Sequence, residues 1–174
     1  FSRKHLLGKT KKKNNPNHTG DESYNFFMTI LFPVSNLKVY EFNRIVKDLN
    51  FLSKDAFLKK LSSDFSIEKK GASPYRPDKK GNFSMYFEDK WYSLTIKNPA
   101  SGKLDVELLS ELILGPHLGI HDLKADKRIL CVSGTKGVNA LKKTIDSGKA
   151  TVGFGLYPVT VNDIINMSDT GITM

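Results

Sequence analysis

Gly119-Ile-His-Asp-Leu-Lys-Ala-Asp126-Lys-Arg128-Ile129-Leu-Cys131-Val-Ser133-Gly134-Thr135-Lys136-Gly137 is the stretch from which the fold of this chain can be read. A charged loop leads into a short apolar run, Ile129–Val132. That run stops at a glycine-broken turn, and a helical pattern of apolar residues follows at Val138, Leu141 and Ile145. The order strand, turn, helix start can turn backbone N–H groups and the positive end of a helix toward an anion. Ser133, Thr135 and Lys136 add two hydroxyls and an ammonium, and Gly134 and Gly137 allow unusual backbone angles. The spacing is neither that of a Walker loop nor Gly-x-Gly-x-x-Gly. The same residues also read as a plain strand-to-helix connection, with glycine for geometry and Thr135 as a cap. Cys131, inside the apolar run, reads as a small core residue.

Downstream, Thr151–Tyr157 reads as a strand. Thr160 and Asp163 have the spacing of a capping box that opens a helix through Met167. Upstream, Asp105 caps a helix running to Leu114, where Gly115-Pro116 ends it. Phe83–Phe87 and Lys90–Ile96 flank Glu88-Asp89 as a two-residue β-hairpin, with the lone Trp91 as packing. Residues 69–82, rich in lysine, proline and glycine, read as a loop. Ser53 is a helix N-cap with Leu52 stapled to Phe57, and Phe65–Glu68 reads as a short strand. Tyr24–Phe32 reads as a buried strand and Leu37–Phe42 as a half-exposed one. Asn43-Arg44-Ile-Val-Lys47-Asp-Leu49 follows it, with Arg44 and Lys47 one helical turn apart. The order of elements predicts an α+β fold with a mixed, largely antiparallel sheet and packed helices. It divides into a basic arm or linker at 1–23 and a single domain at 24–174.

The net charge of +9 is unevenly spread: residues 1–13 hold six basic side chains and no acid, and the remaining residues are nearly balanced. That pattern argues against nucleic acid as the partner and leaves the arm as a solvated segment. One cysteine cannot form an intramolecular disulfide framework. No apolar run approaches the length of a membrane helix, so a cytoplasmic location without membrane contact is the expectation. His117 and His121 are four apart, but Pro116 and Gly119 break the helix such a metal pair needs, and no metal site is expected. His18, in Asn17-His18-Thr19-Gly20-Asp21-Glu22, reads as a solvated loop histidine beside two acids. No Ser/His/Asp triad or nucleophile elbow can be assembled from the spacing, so whether the chain is an enzyme stays open, as does any cofactor. Arg44, Lys47, Arg128 and Lys136 are the cations for an acidic ligand.

Several blocks resemble one family: Pro16-Asn17-His18-Thr19-Gly20-Asp21-Glu22 with Tyr24-Asn25; Asn43 to Leu49; Lys103-Leu104-Asp105-Val106; Leu114-Gly115-Pro116 with Leu118-Gly119-Ile120; Asp126-Lys127-Arg128-Ile129; Asp146-Ser147-Gly148; and Leu156-Tyr157-Pro158. They resemble the bacterial and archaeal proteins of domain of unknown function 1015. Members of that family are about twice as long and carry an Asp-Gly-His-His-Arg motif upstream of the block at 15–25, which this sequence lacks. The resemblance therefore implies a C-terminal half, with the missing N-terminal domain of the same protein as a partner. That motif resembles the phosphate-handling motif of the ParB and sulfiredoxin-like fold, which includes free-serine kinases. The resemblance implies a phosphate- or nucleotide-handling protein, kinase-like or phosphotransferring, with a small anionic ligand. The alternative is a non-catalytic regulatory module that binds an acidic ligand or nucleic acid.

Overall fold

The computed structural model describes residues 2–26, 28–98 and 102–169, and of residues 2–7 only the backbone. The chain divides into two compact units, Phe1–Leu37 and Lys38–Met174. In the first, helix α1 (Ser2–Lys13) carries Lys11, Lys12 and Lys13 in its last turn, where cations complement the helix dipole. The basic arm, expected as a solvated arm or linker over 1–23, is thus helical up to Lys13. The block that follows is knotted around Glu22. Its carboxylate accepts from the N–H of Thr19 (2.8 Å) and Gly20 (3.1 Å) and from the Asn25 amide (2.9 Å). The expected strand Tyr24–Phe32 does not form among the described residues. Phe26, Met28, Ile30, Leu31 and Phe32 are exposed, with no ladder partner. Phe27 lies outside the described residues.

The second unit is built on six strands in the order β2-β4-β3-β6-β1-β5, every pairing antiparallel. They are β1 (Phe42–Val46), β2 (Phe65–Gly71), β3 (Asn82–Phe87), β4 (Lys90–Ile96), β5 (Ile129–Ser133) and β6 (Val152–Gly155). The α+β class holds. The segment from Asn43 to Val46, read as the start of a helix, is a strand, and Leu37–Glu41 is not. Burial decides this: Ile45 and Val46 are both sealed, on opposite faces, as only an alternating strand allows.

One face packs on α2 (Lys54–Asp64) and α3 (Asp105–Leu109). Phe57, Leu61, Leu108 and Leu109 meet Val46, Phe83, Met85, Phe87, Leu94, Val152 and Phe154 there. The Ser53 hydroxyl caps α2 by accepting from Ala56 N–H (3.3 Å). α3 starts one residue earlier than expected. Glu107 reaches back to the Leu104 N–H (2.9 Å), and the chain continues past Leu109 in a wider π-type turn, Ser110–Leu114.

The other face packs on α4 (Asn139–Asp146). Its stripe of Val138, Leu141 and Ile145 meets Ile45, Tyr86 and Trp91, and the Trp91 side chain is fully buried as expected. α4 comes close because β6 presents no side chain beneath it: a Cβ on Gly153 would stand 3.1 Å from Leu141 Cβ. Its last turn is pinned by the Tyr86 hydroxyl, which donates to Asp146 (2.7 Å) and accepts from Lys142 (2.7 Å). The expected capping box opens α5 (Val161–Asp169), where Asp163 accepts from Thr160 N–H (2.9 Å). Cys131 is exposed rather than buried, because β5 is an edge strand. No helix among the described residues is long and apolar enough to cross a membrane.

Candidate functional site

Antiparallel pairing brings the starts of β1 and β3 and the ends of β5 and β6 to one end of the sheet. On the α4 face of that end the strands present polar side chains. The register sets Asn43 opposite Val132, Ser84 opposite Gly155 and Ser93, and Asn82 opposite Thr95. Asn43, Asn82, Ser84 and Ser93 are all buried. Part of this row is self-satisfied: Asn82 donates to Ser93 (2.8 Å) and Thr95 (2.9 Å) and accepts from the Tyr75 hydroxyl (2.7 Å). Asn43 Oδ1 accepts from Leu156 N–H (3.1 Å), but Asn43 Nδ2 and the Ser84 hydroxyl have no hydrogen-bond partner. A buried polar atom left this way costs about 1–3 kcal/mol. The Ser84 hydroxyl lies against Gly155 beneath Val138, the residue that leads into α4, and leaves no room for a Cβ there.

The turn Ser133–Gly137 crosses this end, and its donors are largely used within the chain. Gly134 N–H donates to Glu41 O (2.8 Å), Gly137 N–H to Gly134 O (2.8 Å) and Thr135 N–H to Ser133 Oγ (3.4 Å). The Ser133 and Thr135 hydroxyls bond each other (3.0 Å). The Glu41 carboxylate also lies against Gly134, where a Cβ would stand 2.5 Å from Oε2, so negative charge already occupies that side. The other side is different. Gly137 has φ +63, and a Cβ on it would stand 2.7 Å from Nη2 of Arg76. Arg76 and Lys136 are both exposed and neither forms an ion pair among the described residues. Two cations thus flank a left-handed glycine at the start of α4.

At the start of α3, Asp105 is buried and accepts from Gly81 N–H (3.0 Å), and burial pushes its carboxyl up. Asp163 is held at about 2 by Lys80 (2.5 Å) and Thr160 (2.6 Å).

The remaining expected residues are not gathered here. Arg44 points from the opposite face of β1 and donates to the carbonyls of Phe42 (3.1 Å) and Asn43 (3.4 Å). Lys47 and Arg128 sit together at the far end of β1 and β5, where Lys47 N–H meets Arg128 O (2.9 Å). Arg128 is committed to Asp126 (2.7 Å), Asp48 (3.5 Å) and the Leu118 carbonyl (3.0 Å). His18 belongs to the first unit and is not a solvated residue. Its side chain is 17% exposed, and Nδ1 lies 2.9 Å from Glu22 and 3.0 Å from the Tyr24 hydroxyl. Glu22 is held at about 2, first by the Thr19 N–H. Sequence reading missed Arg76, Asn43 and Ser84 at this end of the sheet, and the buried Asp105 at the start of α3. Arg76 lay in a segment read as loop, and nothing in linear spacing ties it to Gly137. No group of three or more metal-ligating side chains occurs among the described residues.

The model of the family described as Protein of unknown function (DUF1015) matches residues 3–111. No curated protein matches this chain, and no solved structure does.

Proposed function

We propose that this chain, which belongs to the DUF1015 family, binds a small anionic ligand at the sheet end beside Gly137 and serves a phosphate- or nucleotide-handling protein. The observation that carries this reading is the Arg76 guanidinium set against Gly137 next to Lys136, two cations with no acidic partner among the described residues. A planar guanidinium and an ammonium at a helix start suit a phosphate or a carboxylate, which each can contact by charge-assisted hydrogen bonds. Of the carboxyls at this end, Asp163 is taken by Lys80, Asp105 accepts from the Gly81 N–H through Oδ1 and keeps a buried Oδ2 without a partner, and Glu41 lies against Gly134. The reading is binding, and the phosphoryl chemistry implied by the family resemblance would belong to the intact protein.

Calorimetric titration at low salt with inorganic phosphate, ADP and ATP tests it. Each of Arg76→Ala and Lys136→Ala should weaken binding about tenfold or more, the equivalent of roughly 1.5–3 kcal/mol for a charge-assisted contact. Gly137→Ala should act like Arg76→Ala, since its Cβ displaces the guanidinium. Lys47→Ala, at the far end of β1, should leave binding unchanged. Absence of binding by all three ligands, or an equal loss in Lys47→Ala, would return the turn to a purely structural role.

A further inference from the structure

The two edges of the sheet are finished differently. β2 carries Glu68, Lys69 and Lys70 and is bulged between Lys69 and Gly71, features that keep another strand from adding to it. β5 reads Ile129-Leu130-Cys131-Val132-Ser133, with no charge, no proline and no bulge in its pairing with β1. Leu130 and Cys131 are exposed, and so is Phe42 on the neighbouring strand. Glu41 and Gly134 bond across this ladder, as do Lys47 and Arg128. Alternation then turns the backbone groups of Leu130 and Val132 toward β1 and those of Ile129, Cys131 and Ser133 outward. β5 therefore offers an unprotected row of donors and acceptors.

The same chain carries a run suited to that row. Residues 26–37 contain no charged side chain. Phe26 (67%), Met28 (88%), Ile30 (67%), Leu31 (88%), Phe32 (62%) and Val34 (55%) are exposed. Taking roughly 150–250 Å² for each large apolar side chain, they leave on the order of 700 Å² in water. That summed area approaches the ~800 Å² each partner gives to a stable interface.

We propose that the run Met28–Phe32 of one copy adds as a strand to the β5 edge of a second copy, and the reverse, giving a two-fold dimer. Each copy holds both the strand and the edge, so the exchange can be reciprocal. Backbone hydrogen bonds supply the pairing, and the apolar side chains cover Phe42, Leu130 and Cys131. Because the copies repel through their positive charge, added salt should tighten the dimer.

Sedimentation of the full chain over a dilution series should give twice the 19.5 kDa monomer mass at high concentration. Cys131→Pro removes an outward N–H without touching the β1 ladder, and should give the monomer. So should Ile30→Lys with Leu31→Lys, a change confined to exposed positions, which decides the matter should the proline variant fail to fold. Cysteine placed singly at Thr29, Ile30 or Leu31 should cross-link under oxidation to the chain's one native cysteine, Cys131, on another molecule. A wild type that is monomeric throughout, a dimer that survives the lysine pair, or cross-links formed only within one molecule would each overturn the proposal.

Discussion

His117 lies on the turn after the π-type segment, half-buried, with both ring nitrogens out of solvent and neither well hydrogen-bonded. Burial, reinforced by the Lys60 ammonium, holds its pKa below 6.5 against smaller opposing pulls from Asp64 and the Pro116 carbonyl. The unfolded chain, with an ordinary imidazole, therefore binds a proton that the folded chain refuses. Stability is full above 6.5 and falls as pH drops through it. Urea midpoints at about pH 7.5 and about pH 5.5 should show this loss, and His117→Leu should shrink it. At the higher pH the variant should be about 1 kcal/mol more stable, since it removes unsatisfied buried nitrogens. An unchanged pH slope in the variant would assign the loss to other groups. The histidine was visible in the sequence as half of a metal-like pair. What its imidazole faces was not, because Lys60 and Asp64 reach it from another helix.

The β3–β4 hairpin turns on Glu88 (φ 49) and Asp89 (φ 58), both in the left-handed region that two-residue hairpins require. Neither residue is glycine, so the turn is strained, and Glu88 gains from its ion pair with Lys54 of α2. Asp89→Gly keeps that pair while relieving the strain. Against the greater freedom glycine gives the unfolded chain, the net effect should be a stabilisation of about 0.5 kcal/mol. Glu88→Gly should gain less, having lost the pair; chemical denaturation of both variants checks the order. This hairpin, the Ser53 cap, the α4 stripe and the α5 capping box were legible because each signal is local: a turn dipeptide, a cap, a period. The strand expected over 24–32 has the right composition but no partner among the described residues. β1 instead starts at Phe42, where the expected strand Leu37–Phe42 ends, and Ile45 and Val46 find both faces of the sheet covered.

Among the described residues, every buried apolar side chain falls between Ile45 and Leu156, inside the second unit. The chain excised at 38–174 should therefore unfold in one cooperative transition, with a urea midpoint close to that of the full chain. Loss of that transition would mean that the first unit is needed for the second to fold. Such a truncation also lacks the run 26–32, and should sediment as a monomer. The α+β class, most element types, the glycine turn and the family are contained in the sequence, since local patterning and motif order do not need contacts between distant residues. The role of that turn is not. Glu41, ninety-three positions before Gly134 in the chain, takes its N–H, and Arg76, sixty-one positions before Gly137, supplies a charge beside it. The buried polar row of Asn43, Ser84 and Ser93 likewise exists only because antiparallel register lays separate strands side by side. Pairing of strands, and with it the grouping of charges, depends on which faces can be covered at once, and that is settled by packing of the whole core.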